Sequence, residues 1–387
     1  MKLLHINASY KPAYIYGGPA LSVSRLCEGL VQSGVELEVL TTTANGAKEL
    51  NIPLNEVQVI DGVPVTYFKR LTKDHTHFSP ALLSALNKTL KKERETTIVH
   101  IHVWWNLVSV LSCFIARQRK AIVVLTPRGT LSNYSFGNRN AGIKNYIHRF
   151  LGKSLLEYCH FHVTSEKEKE DLLKLVKPRS VTVIPNFVYL PEKANEEPIS
   201  KKQNDAEKIK LLFLSRIEEK KGLDILFTAL SEFKVPYHLT IAGTGEESYM
   251  NFLKDLAKSL NITSSVTWIG QQSQQEKWGV MEQHDLMVLP SHDENFGNVV
   301  IECLSTGTPV LISNKVGLAD YVKRRDFGWI CSVDKDSIIN NLLLFSQQVD
   351  KSMRIHQLAP QQIRNDFDEE VLVQEFLKMY SSILDFK

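Results

Sequence analysis

The sequence has few of the cysteines from which thiolate metal centres and disulfide frameworks are built. Its 387 residues include only five cysteines, with no CxxC pair, and none has the spacing to histidine that is typical of a zinc site. They are expected to be small buried side chains in a reducing compartment. A GxGxxG dinucleotide fingerprint, a low-complexity tract and a solenoid repeat are also absent. A disulfide-stapled secreted scaffold is therefore excluded.

Long apolar runs are scarce as well. The apolar run at the amino terminus is too short for a signal peptide and predicts a first strand. Residues 98–116 have the length of a membrane span but carry histidine, asparagine and serine, so they predict a buried strand leading into a buried helix. We expect a cytoplasmic protein, with at most peripheral contact with the inner face of the plasma membrane.

Acidic residues are unevenly distributed along the chain. Residues 101–156 contain none, and residues 1–186 hold 24 Lys and Arg against 14 Asp and Glu, a balance of +10. The whole chain has 46 against 43, so the remainder has 22 against 29, a balance of −7. This asymmetry predicts an anionic partner for the first half. Nucleic acid would explain the charge equally well, but no nucleic-acid motif accompanies it.

One basic amphipathic helix is predicted within this half, over residues 143–158. Such a helix is suited to an anionic membrane surface or a lipid-phosphate acceptor. The alternative is the solvated face of an ordinary helix.

The length of the chain predicts two domains, because a single core stops growing at roughly 250–300 residues. Strands alternate with helices and glycine turns in both halves, which favours α/β domains with parallel sheets. The first domain is predicted over residues 1–187 and the second over 209–368. A Pro- and charge-rich linker is predicted over 188–208, and an amphipathic helix ends the chain within 369–387.

The most informative stretch is residues 286–313, which predicts a strand, a polar loop, a helix beginning near Gly297 and a second strand. Loops at the carboxyl ends of parallel strands line the ligand crevice of open α/β sheets. The helix start offers unpaired backbone N–H groups to an anion, most often phosphate. Glu294 precedes the helix and Glu302 lies one turn into it. Two carboxylates beside a phosphate-binding helix end suggest a sugar nucleotide, and two solvated helix charges are the alternative.

A second loop of the same domain carries positive charge. Arg216 follows a predicted strand, and Lys221 begins the next helix, so the two are placed to converge on one anion. A pair of surface bases would have the same sequence.

Three loops of the first domain hold further candidates. His102, Trp104 and Asn106 lie at the end of one strand, where an aromatic ring could stack on a sugar. Arg128 follows another strand and could contact an anion. Ordinary packing, a core histidine and a surface arginine are the alternatives. Gly17 and Gly18, between the first strand and its helix, would let the backbone approach a ligand closely.

Taken together, these motifs resemble a known family. Glu294 and Glu302 in ENFGNVVIE, Arg216 and Lys221 in SRIEEKKGLD, the IAGTGEE turn and the early GGP loop occur in one chain in the family's order. The combination resembles the family 4 retaining glycosyltransferases over nearly the whole chain. HIHVWWN also fits, while the PNF segment departs at Phe187 from the usual PNG.

The resemblance implies the GT-B fold, in which two Rossmann-like domains face each other across a cleft and the final helix crosses back to the first domain. Arg216 and Lys221, the latter rather than Lys220, would then neutralise the donor diphosphate. Glu302 would bind the ribose and Glu294 the transferred sugar, which His102 would position.

Further contacts are implied at the remaining motif positions. The donor contacts would be Gly17, Gly18, Gly243, Gly270, Gln271, Asn295, Phe296, Gly297, Asn298 and Val299. The acceptor contacts would be Arg128, Trp104 and Asn106.

No carboxylate pair is placed to hold a metal, so a front-face reaction without metal or cofactor is predicted. The donor would be a UDP-, GDP- or dTDP-sugar, and the acceptor a glycan or a polyprenyl-diphosphate-linked glycan. Three alternatives remain. A nucleotide-sugar epimerase would need no separate acceptor, and a phosphorylase would need a pyridoxal-binding lysine. A non-catalytic nucleotide-sugar-binding partner would be expected to lose the cations and glutamates that are present here.

Overall fold

The computed structural model describes residues 1–16, 18–132, 152–191 and 208–385, without the side chain of Pro19. The chain divides into two compact units, residues 1–187 with 369–387, and residues 188–368. The first unit has the bounds predicted for the first domain together with the final helix. The predicted linker begins within the second unit, and its residues 192–207 lie outside the described residues.

The first unit is built on a largely parallel sheet. Its described strands are β1 (Lys2–Ile6), β2 (Glu36–Thr42), β3 (Ala44–Asn45), β4 (Lys48–Glu49), β5 (Val57–Ile60), β6 (Val63–Phe68), β7 (Thr97–His102), β8 (Ile122–Thr126), β9 (His160–Val163) and β10 (Ser180–Val183). Eight of them form one sheet in the order β10-β9-β8-β7-β1-β2-β6-β5. Only β5 and β6 pair antiparallel in it, through the turn Asp61-Gly62. Both turn residues have positive φ, 50° and 82°, as a type I′ hairpin requires.

Helices cover this sheet on both faces. They are α1 (Gly18–Gln32), α2 (Pro80–Glu93), α3 (Leu107–Gln118), α4 (Lys153–Leu156) and α5 (Glu166–Leu175). Every residue of β7, β8 and β9 is buried, which is typical of parallel strands between two helical layers. The sequence prediction of a strand and a helix in residues 98–116 is confirmed by β7 and α3. Most of the predicted basic helix, residues 143–151, lies outside the described residues.

The second unit repeats this architecture with a fully parallel sheet. Its strands are β11 (Ile209–Leu214), β12 (Tyr237–Ala242), β13 (Val266–Gly270), β14 (Leu286–Leu289), β15 (Val310–Ser313) and β16 (Gly328–Cys331). Its helices are α6 (Leu223–Glu232), α7 (Glu247–Ser259), α8 (Glu276–Glu282), α9 (Asn298–Ser305), α10 (Ala319–Arg325), α11 (Lys335–Gln347) and α12 (Val349–Asp366). The strand order is β13-β12-β11-β14-β15-β16.

Both sheets contain a point where the strand order reverses. In the first unit β1 lies between β2 and β7, and in the second β11 lies between β12 and β14. Chain connections leave such a point in opposite directions, so a crevice opens outside the carboxyl ends of the two strands. The loops after β1 and β7, and those after β11 and β14, are therefore the places where each unit is built to hold a ligand.

The final helix, α13 (Glu369–Asp385), belongs to the first unit, as predicted. It buries an apolar face there, and Glu369 accepts a hydrogen bond from Arg25 of α1 at 3.0 Å. None of the helices in the described ranges has the length together with the apolar composition that a bilayer crossing demands.

Truncating Phe376 in α13 tests how strongly this helix is fixed. Its ring is 1% exposed and packs against His162 and Phe187 at centroid distances of 4.6 and 5.8 Å. Phe376→Ala should lower the free energy of unfolding by about 3–5 kcal/mol, because it leaves a cavity. Urea denaturation followed by circular dichroism measures the change. Gln374→Ala, at an exposed position of α13, is the control, and equal loss in both variants would contradict the packing described.

Candidate functional site

In the second unit, the loops that follow β11 and β14 meet at the reversal point. The ammonium of Lys221 donates a short hydrogen bond to a carboxylate oxygen of Glu294. The two loops are also joined through the backbone, because His292 N–H donates to Lys220 O at 2.8 Å. The strand order thereby brings residues 73 positions apart in sequence into one ion pair.

A glycine makes this close approach possible. Gly222, the residue after Lys221, has φ 70°, and a Cβ there would lie 2.3 Å from Pro290 O at the end of β14. Any side chain would push the two loops apart, and the positive φ also favours glycine. Gly222 therefore fixes the separation between Lys221 and the loop that carries Glu294.

Positive charge surrounds the Glu294 carboxylate. Burial, the largest single effect, would raise the pKa of Glu294, but the ion pair with Lys221 together with the charges of Lys220 and Arg216 outweighs it. The net result is a pKa of Glu294 below its ordinary value, so the carboxylate is ionised at neutral pH. The backbone of Glu294 is held by the loop after β15, through Glu294 N–H to Lys315 O at 3.2 Å and Gly317 N–H to Glu294 O at 2.9 Å.

The three cations of the loop after β11 differ in burial and in their partners. Lys221 is 7% exposed and lies against Glu294. Arg216 has a side chain that is 61% exposed and pairs with Glu218 at 2.6 Å, while Lys220 lies 3.7 Å from the same carboxylate. Lys221 is thus built into the site, and Arg216 stands at its exposed edge.

The loops after β12 and β13 pack against the Arg216 loop. A Cβ at Gly243 would lie 1.9 Å from Ser215 O, and Gly243 N–H donates to Gly270 O at 2.8 Å. Gly270 has φ 71°, and Gln271 beside it is exposed. The predicted glycine positions therefore lie where these loops converge at the carboxyl edge of the sheet.

The start of α9 agrees with the sequence prediction. Gly297 is its N-cap, with φ 93°, and Phe296 is buried at 3% exposure, so it packs in the core. Asn295, Asn298 and Val299 are partly exposed around the helix end. The backbone here, rather than the Phe296 ring, is what the structure offers to a ligand.

Glu302 also pairs with a lysine. Its carboxylate lies 2.8 Å from Lys277 Nζ of α8, with side-chain exposures of 13% and 10%. Sequence reasoning missed Lys277. The helical spacing could have identified it. Lys277 lies four residues before Met281, so both fall on the same apolar face of α8, and they are the two buried residues of that helix.

The first unit holds a chain of buried hydrogen bonds at its own reversal point. His162 Nε2 lies 2.8 Å from Ile184 O, and Thr126 Oγ1 lies 2.8 Å from His162 Nδ1. His100 Nε2 lies 2.7 Å from Thr126 Oγ1, and His100 Nδ1 lies 2.6 Å from Tyr380 Oη. A carbonyl only accepts, so His162 Nε2 donates and each later bond has its direction fixed. Tyr380, Thr126 and both histidines form one ordered chain with neutral imidazoles.

His102 is part of the same cluster, and this corrects the expectation that its ring faces the sugar. The ring is 0% exposed, and its Nε2 lies 3.0 Å from His5 Nδ1. The next residue, Val103, has φ 66°, a strained conformation for a β-branched residue that is characteristic of functional loops. The His102 ring therefore packs inside the first unit, next to the loop that begins at Val103.

Three histidines of this cluster have ligand atoms within 4.8 Å of one another, namely His5, His100 and His102. Spacing alone would allow a metal ion. Both nitrogens of His100 are, however, used by Tyr380 and Thr126, so a metal would have to break the ordered chain. The cluster fits a hydrogen-bonded core better than a metal site.

The acceptor residues predicted from the sequence divide into two groups. Trp104 is 0% exposed in the core, and Asn106 accepts from Ser109 N–H at 2.8 Å as the N-cap of α3. These contacts give both residues packing and capping functions in place of the predicted acceptor contacts. Of the glycine pair before α1, Gly18 is the first residue of the helix, and Gly17 lies outside the described residues.

Arg128 differs from Trp104 and Asn106, because it carries a charge and its guanidinium is hydrogen-bonded to uncharged side chains. It donates to Ser22 Oγ at 2.6 Å and to Asn186 Oδ1 at 2.9 Å, and in the described part of the chain no salt bridge joins it to a carboxylate. Burial lowers the pKa of Arg128 to about 10, against the opposing effect of Glu168. Its φ is 52°. Arg128 is thus a charged group held in a strained loop, with the Glu168 carboxylate nearby but no salt bridge among the described residues.

Comparison with known proteins gives matches over both units. The family model described as "Glycosyl transferases group 1" matches residues 195–362, and the model "Glycosyltransferase Family 4" matches residues 16–190. A Methanocaldococcus jannaschii protein named as an uncharacterized glycosyltransferase is 27% identical over 360 residues, which cover 87% of each chain.

Solved structures match the whole chain as well. Sucrose-phosphate synthase from Thermosynechococcus elongatus has a TM-score of 0.75 at 18% identity, covering 100% of both chains. Anabaena HepE in complex with UDP and glucose has a TM-score of 0.73 at 16% identity, covering 99% of this chain and 100% of HepE. At these identities the likeness shows the shared fold alone.

The buried histidines predict a loss of stability in mild acid. Burial lowers the pKa of His5 and of His162 from 6.5 to about 3. The unfolded chain therefore binds protons that the folded chain does not, so stability is full above pH 6.5 and falls as the pH drops toward 3. The burial of each of these two histidines should lower the free energy of unfolding by about 2 kcal/mol at pH 5 relative to pH 8. Urea denaturation at both pH values measures this, and equal free energies of unfolding would refute it.

Proposed function

Because the chain belongs to the family 4 glycosyltransferases and has their fold of two Rossmann-like domains, we propose that it moves a sugar from a nucleoside-diphosphate sugar to a glycan or lipid-linked acceptor. The protein is a glycosyltransferase. What we propose further is a retaining, front-face reaction without a metal ion, and the assignment of Lys221, Glu294, Arg216 and Glu302 to the donor.

The pairing of Lys221 with Glu294 carries this proposal. A carboxylate only accepts hydrogen bonds, so its natural ligand is a group rich in O–H donors such as a sugar. An ammonium has three donors, and one of them is used by Glu294. The other two can reach phosphate oxygens while the first still holds the carboxylate. The Lys221–Glu294 pair can thus contact both the sugar and the phosphate of one donor molecule.

The same pair accounts for a reaction without metal. Cleavage of the sugar–phosphate bond places negative charge on the leaving diphosphate, and preorganised cations stabilise that charge where it develops. Lys221 and Arg216 supply fixed positive charge on one side, and the backbone N–H groups at the start of α9 supply partial charge. The leaving phosphate oxygen can take the proton of the acceptor hydroxyl. No side chain is then needed as a general base, which agrees with the burial of His102.

The acceptor is assigned to the first unit on the strength of Arg128 and of the basic charge of residues 1–186. A guanidinium with neutral partners is suited to a phosphate or diphosphate group. We therefore propose an anionic acceptor such as a polyprenyl-diphosphate-linked glycan, with peripheral contact between this unit and an anionic membrane. The complex of Anabaena HepE with UDP and glucose supports a nucleotide-sugar donor.

Substitutions in the donor site should remove transfer. Glu294→Ala and Lys221→Ala should each lower kcat by about 10²–10³, the effect expected for losing one preorganised charge contact, and Arg216→Ala should act in the same direction. The donor is first chosen by a thermal-shift screen of UDP-, GDP- and dTDP-sugars. Glu232→Ala, which removes an exposed partner of Lys335, is the control. Full turnover in both Glu294→Ala and Arg216→Ala would end the proposal, and conversion of donor without acceptor would indicate an epimerase.

Chelation distinguishes a metal-independent reaction from one that needs Mg²⁺. Because Lys221 and Arg216 are proposed to supply the charge that Mg²⁺ supplies elsewhere, excess EDTA should leave the initial rate of the purified enzyme unchanged. Added Mg²⁺ should not raise it. A rate that falls with EDTA and returns with Mg²⁺ would show that a cation takes part.

A further inference from the structure

Lys277 is a buried cation that the proposed reaction does not use. It is 8% exposed on α8, and its ammonium lies 2.8 Å from Glu302 Oε1 of α9. Burying an ammonium is costly unless it is paired. The position one turn further along the helix holds Met281, a typical core residue. An apolar residue at 277 would satisfy the packing, so the lysine needs a different explanation.

A second contact holds the ammonium in place. Lys277 Nζ lies 4.5 Å from the ring centroid of Trp278, within the range of a cation–π contact. The Trp278 ring in turn stacks on Tyr189, with centroids 6.4 Å apart and an angle of 26° between the planes. The lysine is therefore restrained by a carboxylate and by an aromatic ring, which leaves it little freedom.

Anchoring of α8 does not require this lysine. Thr308 Oγ1, in the loop after α9, donates to Met281 O at 2.8 Å in a fully buried hydrogen bond. Ser273 and Glu276 cap the start of α8 through reciprocal side-chain bonds to the backbone at 2.9 and 3.2 Å. The helix is fixed at both ends by neutral or local contacts, so the ion pair is free to serve Glu302.

From these contacts we infer that Lys277 is the positioning residue of the nucleoside end of the donor site. By holding Oε1 of Glu302 it presents the other oxygen, Oε2, to the ribose hydroxyls. The chemical class recognised is the ribose of a nucleoside diphosphate. The inference rests on the proposed function, specifically on the assignment of Glu302 to the ribose.

The inference predicts a defect in donor binding. In Lys277→Met the Glu302 carboxylate stays largely buried but loses the ammonium that holds Oε1, so its other oxygen is no longer fixed toward the ribose hydroxyls. KM for the donor and Kd for the nucleoside diphosphate should therefore rise about tenfold. The value of kcat should change less than about twofold, because the ribose is remote from the reacting carbon.

The experiment compares Lys277→Met, Glu302→Gln and the double variant with the wild type. UDP, GDP and dTDP are the probes, with Kd measured by calorimetry and with KM and kcat measured on the matching sugar nucleotide. Lys335→Met is the matched control, because Lys335 pairs with Glu232 at the same 2.8 Å on an exposed surface. The double variant should bind no more weakly than Glu302→Gln, since Lys277 acts through Glu302.

The outcomes separate this inference from the proposed function. Wild-type affinity in Lys277→Met beside weakened affinity in Glu302→Gln would overturn the inference and leave the donor assignment intact. Wild-type affinity in both would overturn the ribose assignment as well. A double variant that binds clearly more weakly than Glu302→Gln would show that Lys277 acts by packing, which would also count against the inference. If Lys277→Met fails to fold, Lys277→Gln keeps similar volume without charge and should show the same rise in KM, so a wild-type KM in that variant would overturn the inference.

Discussion

The site in the second unit depends on one ion pair between distant parts of the chain. Lys221 and Glu294 follow strands that are neighbours in the sheet but are separated by two further strands in sequence. The reversal of strand order brings them together, and Gly222 lets the loops approach. The charge of each makes the burial of the other possible. Glu302, which lies one turn into α9, pairs with the buried Lys277 in the same way.

A polar core in the first unit stands in contrast to these ion pairs. Two of its histidines, His100 and His162, are neutral and are joined through Thr126 to Tyr380 in a chain whose direction is set by a single backbone carbonyl. Buried networks of this kind specify one arrangement when every member is satisfied. Here the chain joins β7, β8 and β9 near the ends from which the Val103 loop and the Arg128 loop emerge.

The sequence predicted the fold well, for physical reasons. Parallel strands between helices give continuous apolar segments, and Asp61-Gly62 specifies its hairpin by the need for two positive φ values. No element was predicted for residues 349–366, which form α12. That helix contains Pro360 and is mostly polar, so only its narrow stripe of Ile355, Ala359 and Ile363 marks it as a helix.

The errors in the site have a common cause. Trp104, Asn106 and His102 were placed at a strand end correctly, but sequence spacing does not show which side chains turn into the core. The His102 ring contacts His5 and the Trp104 N–H donates to Thr130 Oγ1, both distant in sequence, whereas Asn106 bonds to Ser109 in the next helical turn. Lys277 was missed for the converse reason, since a lysine on an apolar helix face is unremarkable until its partner, Glu302, is placed beside it.

The chain order of the two units has a consequence for synthesis. The second unit, residues 188–368, is inserted between the first unit and that unit's own last helix. During translation, which proceeds at about 5–20 residues per second, β7 emerges long before α13. His100 then lacks the hydroxyl of Tyr380, and the apolar surface that α13 covers stays open while the whole second unit is made. The first unit is therefore the earlier to begin folding and the later to finish.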